Sequence, residues 1–140
     1  MDYSIAKIDK KNIENKLNRW NKIAKESSTQ SGRQKKLRVE PCINLQNIIE
    51  KIPEYDIVLL LYENEKECFI KQAINEFKKN GVNINKIAII VGPEGGLSID
   101  EVNKISENKN VSLCTLGKRI LRTETAGISA VSMLVYEFDM

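Results

Sequence analysis

Three short apolar runs, spaced by helical patterns, constrain this chain more than any other feature. They are Asp56–Tyr62 (DIVLLLY), Lys86–Val91 (KIAIIV) and Val111–Leu116 (VSLCTL). Each has the length of a strand, and the continuous apolar run of the first is what a strand covered on both faces requires. Between the first two lies Lys66–Asn80, where Phe69, Ile70, Ala73, Ile74 and Phe77 share one helical side and Gly81 ends the pattern. Ser98-Ile99-Asp100-Glu101 is a capping box that opens a further helix carrying Val102 and Ile105. Thr123–Phe138 reads as a last helix with small residues in its first turns. Ahead of the first run, Asn44 can cap a short helix that turns Leu45, Ile48, Ile49 and Ile52 inward and closes at Pro53. Strands alternating with helices predict an α/β fold, with a mostly parallel sheet flanked by helices and right-handed crossovers.

The N-terminal third follows another pattern. Ile13, Leu17, Trp20, Ile23 and Ala24 form the stripe of an amphipathic helix, expected to fade within the polar stretch Ser27–Gly32. Next comes Arg33-Gln34-Lys35-Lys36-Leu37-Arg38, with four cations in six residues. Such a segment is either a solvated loop or a patch that contacts phosphates.

At 140 residues the chain has room for one ordinary domain. Its apolar runs fall far short of the ~20 residues of a membrane span, and Met1–Lys10 has no apolar segment of the signal-peptide kind. A soluble protein is expected. The formal charge of +3 is compatible with a nucleic-acid partner without requiring one. Cys42, Cys68 and Cys114 lie far apart with no CxxC pair, as expected of reduced thiols in a cytoplasmic protein. There is no histidine. That removes the commonest metal ligand and general base, and argues against zinc chemistry and triad hydrolysis. No metal is expected.

In a parallel sheet, ligands bind beyond the carboxyl ends of the strands. Three loops belong there. Tyr62-Glu63-Asn64-Glu65 is polar, and a plain strand-to-helix connection accounts for it. Gly92-Pro93-Glu94-Gly95-Gly96-Leu97-Ser98 carries three glycines, which allow positive φ and close approach of a ligand to the backbone, ahead of a helix N-terminus. It is neither a GxGxxG fingerprint nor a Walker A loop. A tight turn explains its glycines but gives Glu94 no structural task. Leu116-Gly117-Lys118-Arg119-Ile120-Leu121-Arg122-Thr123-Glu124-Thr125-Ala126-Gly127 sets cations and a carboxylate around a short apolar step, with Thr123 or Thr125 able to cap the last helix. A basic approach to a helix is the plain alternative, and it leaves Arg122 with Glu124 unexplained.

These two glycine loops, with Arg19-Trp20, Ile23–Ser27 and Gln30–Arg33 upstream, resemble the RsmE family of ribosomal RNA small-subunit methyltransferases over about residues 15–138. The resemblance implies a SPOUT-type α/β knot, with a deep trefoil knot near the C-terminus forming a pocket for S-adenosylmethionine. It also implies methylation of N3 of a uridine in 16S rRNA of the small ribosomal subunit, by a cytoplasmic homodimer. Matched residue by residue, the cofactor lies among Leu61, Gly92, Gly96, Leu116, Gly117, Ile120 and Leu121. The family usually begins with a PUA-type RNA-binding barrel, so residues 1–11 are expected to be a remnant or linker and residues 12–140 the methyltransferase domain. A knotted methyltransferase acting on another RNA, or a non-catalytic RNA-binding module, are the alternatives.

Methylating N3 requires its proton to leave and the resulting charge on the flanking carbonyls to be held. The planar guanidinium suits that charge. Arg122 and Arg33 are the expected anion-stabilising residues, while Glu94 or Glu124 orients them or takes the proton, as the only kind of base left without histidine. Arg33, Lys35, Lys36, Arg38, Lys118 and Arg119 are the expected RNA contacts.

Overall fold

A computed structural model describes residues 10–138 of the chain, which divide into two compact units, residues 10–43 and residues 44–138. The smaller unit is built on α1 (Lys10–Gln30). This helix runs through Ser27–Gln30 before it stops. The Ser28, Thr29 and Ser31 hydroxyls donate back to the carbonyls of Ala24, Lys25 and Ser27, which occupies groups that would otherwise compete with the helix. The basic segment is an exposed loop tethered to α1. Leu37 N–H donates to Ser28 Oγ at 2.9 Å, and Asn21 exchanges two hydrogen bonds with the Val39 backbone, each 2.9 Å. Of the apolar stripe on α1, Ala24 is buried while Trp20 and Ile23 are exposed. The expected linker at residues 1–11 lies outside the described residues except for Lys10 and Lys11, which open α1.

The larger unit is a parallel α/β layer structure. In chain order it contains α2 (Leu45–Lys51), a 3-10 turn at Ile52–Glu54, β1 (Ile57–Leu61), α3 (Ile70–Lys79), β2 (Ile87–Val91), α4 (Ile99–Ser106), β3 (Val111–Cys114) and α5 (Thr123–Phe138). The strands form one sheet in the order β2-β1-β3. Both pairings are parallel, with Leu61 level with Val91 on one side and Cys114 on the other.

The sheet order explains the lack of polar alternation in β1. Ile57 and Leu59 pack on one face with Ile70, Ala73 and Ile74 of α3 and Ala130 of α5. Val58 and Leu60 pack on the other with Ile52, Leu97 and α4 residues Val102 and Ile105. A central strand sandwiched this way has no face for water. Two caps expected from the sequence are present. Asn44 Oδ1 accepts the Asn47 N–H at 2.8 Å, and Ser98 and Glu101 bond reciprocally.

Two elements depart from expectation. The helix expected over Lys66–Asn80 begins only at Ile70. The Glu65 carboxylate takes the backbone N–H groups of Lys66, Glu67 and Cys68, so this stretch forms a turn. The strand expected to reach Leu116 ends at Cys114, and Thr115 continues it only as a parallel bridge to Phe69. No helix among the described residues is long and apolar enough to cross a membrane.

Candidate functional site

The register brings the carboxyl ends of all three strands to one level, and the loops leaving them surround a single cavity of about 570 Å³. That volume lies within the range of sites for small ligands. Leu61, Val91 and Cys114, the last residues of the three strands, form part of its lining.

The loop after β1 supplies Tyr62, Glu63 and Lys66. It is more than a connection, and its contribution was hidden because no single residue type in it marks a site. The backbone is closed by Glu65 N–H donating to Tyr62 O at 3.1 Å and by Lys66 Nζ donating to Glu63 O at 2.6 Å. The loop after β2 supplies Gly92, Pro93, Glu94, Gly96 and Leu97. Gly96 N–H donates to Pro93 O at 2.8 Å, closing a tight turn at φ +76°. This is the left-handed region that favours glycine. A Cβ on Gly96 would also stand 2.9 Å from Glu63 Oε1, so the two loops meet closely here.

The loop after β3 supplies Leu116, Gly117, Ile120 and Leu121 together with Lys118, Arg119 and Arg122. Gly117 has φ +135°, again outside the range of ordinary side chains. Ile120 is 75% exposed, an unusual state for a large apolar residue at the edge of a cavity, and Leu121 is exposed beside it. Fully burying an exposed isoleucine is worth ~1.5–3 kcal/mol, so a ligand covering Ile120 gains most of that, and Leu121, already more covered, adds less. Thr123 does not cap α5. Its hydroxyl donates to Gly92 O at 3.2 Å and ties the start of α5 to the β2 loop.

All seven residues expected to bind the cofactor line this cavity, and so do Glu94, Arg122, Glu124, Lys118 and Arg119. Glu63, Lys66, Leu97, Thr115 and Thr123 also line it and were not singled out from the sequence. Lys118, Arg119 and Arg122 make no ion pair with any other described residue, which leaves their charge available to an anionic ligand. Burial pushes the Cys114 thiol up to about 12, so it lines the cavity as a small neutral group. Arg33, Lys35, Lys36 and Arg38 belong to the smaller unit, where all four side chains are exposed and Arg38 pairs with Glu40 at 3.0 Å. No group of three or more acidic or cysteine side chains able to hold a metal ion occurs among the described residues.

The arrangement offers an apolar slot, glycine backbone on two sides and a cationic rim. A family model described as RNA methyltransferase domain matches residues 1–135. Over 137 residues the chain is 34% identical to ribosomal RNA small subunit methyltransferase E of Bacillus subtilis (strain 168), covering 98% of this chain and 53% of that relative. A structure from Legionella pneumophila, in complex with bound cofactor SAM, superposes with a TM-score of 0.81 at 27% identity, over 98% of this chain and 52% of the other. A ribosomal RNA small subunit methyltransferase E from Neisseria gonorrhoeae, bound to S-adenosyl methionine, gives 0.75 at 29% identity, over 95% and 52%. The chain thus spans about half the length of the relatives it matches.

Proposed function

The chain belongs to the RNA methyltransferase domain family, and on that premise we propose that it binds S-adenosylmethionine and methylates N3 of a uridine in 16S rRNA of the small ribosomal subunit. The observation that carries this reading is the convergence of the three strand-end loops on one cavity lined by Leu61, Gly92, Gly96, Leu116, Gly117, Ile120 and Leu121. The residues fit the cofactor chemically. Leucine and isoleucine side chains enclose a flat apolar ring, and glycine backbone can approach the polar edges of an adenine and its ribose. When bound, S-adenosylmethionine supplies an electrophilic methyl group on a sulfonium sulfur.

The chain's own task is to hold the nucleobase and handle its charge. Arg122, whose side chain is exposed at the cavity and unpaired among the described residues, holds the negative charge that develops on the uracil carbonyls. Arg33 is assigned the same kind of task toward the base or its phosphate. Glu94 or Glu124 orients Arg122 or accepts the N3 proton. Lys118 and Arg119, with Lys35, Lys36 and Arg38, contact the RNA backbone.

The same reading includes a C-terminal trefoil knot. It includes a cytoplasmic homodimer as well. Exposed Ile128, Val131, Val135 and Tyr136 along α5 support an apolar contact between copies. Mapping N3-methyluridine in ribosomal RNA from cells lacking the gene tests the assignment. Loss of one such nucleotide from 16S rRNA, restored by the gene, is expected. An unchanged 16S rRNA with a methyl group missing from another RNA would redirect the substrate.

A further inference from the structure

The loop between β1 and α3 contains a carboxylate that turns one of its oxygens onto its own backbone. Glu65 Oε1 accepts three successive N–H groups, from Lys66 at 2.9 Å, Glu67 at 2.8 Å and Cys68 at 3.0 Å. Three donors converging on one anionic oxygen form a backbone nest that the chain fills itself. These bonds, chiefly those from Glu67 and Cys68, hold the Glu65 carboxyl below the usual value of 4.5. Glu65 does not line the cavity. Its neighbours Glu63 and Lys66 do.

The consequence falls on Glu63. Its Oε1 lies 2.9 Å from the point where a Cβ on Gly96 would stand, so its carboxylate reaches from the β1 loop to the β2 loop across the cavity lining. Glu63 is exposed and has no ion pair among the described residues, so the space its carboxylate can reach is set by the backbone that carries it. We infer that Glu65 is a positioning residue that locks the β1 loop so that Glu63 presents its carboxylate to the ligand beside Gly96. The group recognised would be a hydrogen-bond donor or cation on the ligand, which S-adenosylmethionine offers in its ribose hydroxyls and ammonium. This inference rests on the cofactor reading above.

Binding of S-adenosylmethionine by calorimetry and backbone amide NMR together test it. Replacing Glu65 by Ala is expected to weaken binding at least ~10-fold, whereas Glu65→Gln, which keeps the acceptor oxygen, recovers most of the loss. In a Glu63→Ala background, Glu65→Ala should add almost nothing, because the group it positions is already gone. In the ligand-free protein the Lys66, Glu67 and Cys68 amides should titrate together with a midpoint below 4.5, and the Gly96 amide should follow them. Unchanged affinity in Glu65→Ala, additive losses in the double variant, or a Gly96 amide indifferent to that titration would each overturn the inference. A wild-type chain that does not bind S-adenosylmethionine would refute the cofactor reading, and the amide titration would still decide whether Glu65 holds the loop against Gly96.

Discussion

Arg122 immediately precedes α5, exposed and lining the cavity, and it makes no ion pair with another described residue. A guanidinium held for charge that develops during reaction contributes to turnover far more than to cofactor binding. Arg122→Ala should therefore lower kcat by ~10²–10³-fold and change the affinity for S-adenosylmethionine by less than about threefold. Equal losses in both would place Arg122 in the cofactor site. Asp56 shows a different use of charge. It accepts N–H groups from Asn85 and Lys86 at 2.7 Å each, which hold its carboxyl below the usual 3.8. A carboxyl held low in the folded state stabilises the fold above its unfolded value, and that contribution fades as pH falls through the lower folded one. The gap in denaturation midpoint between wild type and Asp56→Ala should stay constant from neutral pH down to about 4 and narrow below 3.8. A gap that widens on acidification would reverse the assigned shift. The role of Arg122 was legible in its motif, whereas that of Asp56 was not, because its partners are 29 and 30 residues away.

At the scale of elements, β1 carries the most weight. Leu59 is fully buried between two parallel neighbours and packs against α3 and α5. Leu59→Ala should cost about 2–5 kcal/mol in urea unfolding, and a loss below about 1 kcal/mol would mean that the sheet is covered differently. This strand was legible because covering on both faces leaves a continuous apolar signature. The Asn44 and Ser98 caps were legible for a comparable reason, since each depends on residues three apart. The stretch from Lys66 to Phe69 misled because its residues suit a helix locally. Two competitors win there, namely the Glu65 carboxylate on the N–H groups one to three residues ahead and the long-range bridge from Phe69 to Thr115. The same blindness hid Glu63 and Lys66 from the site, since their arrival at the cavity depends on that turn.

For the molecule as a whole, parallel register explains why separated motifs become one site. Leu61, Val91 and Cys114 end level with one another, so loops tens of residues apart in the chain open onto the same space. Alternating strands and helices made the layer structure legible, and the glycine loops marked where a ligand belongs. The division into two units was not legible, because the side-chain bonds that hold the basic segment to α1 run through Asn21 and Ser28, which mark no boundary in sequence. The missing histidine acquires a meaning at this scale, since every charged side chain lining the cavity is Glu, Lys or Arg. Calorimetric titration of the folded 140-residue chain with S-adenosylmethionine tests the central claim most directly. Saturable binding of one molecule per chain is the predicted result, and a correctly folded chain that gives no heat of binding and no change in thermal stability would contradict it.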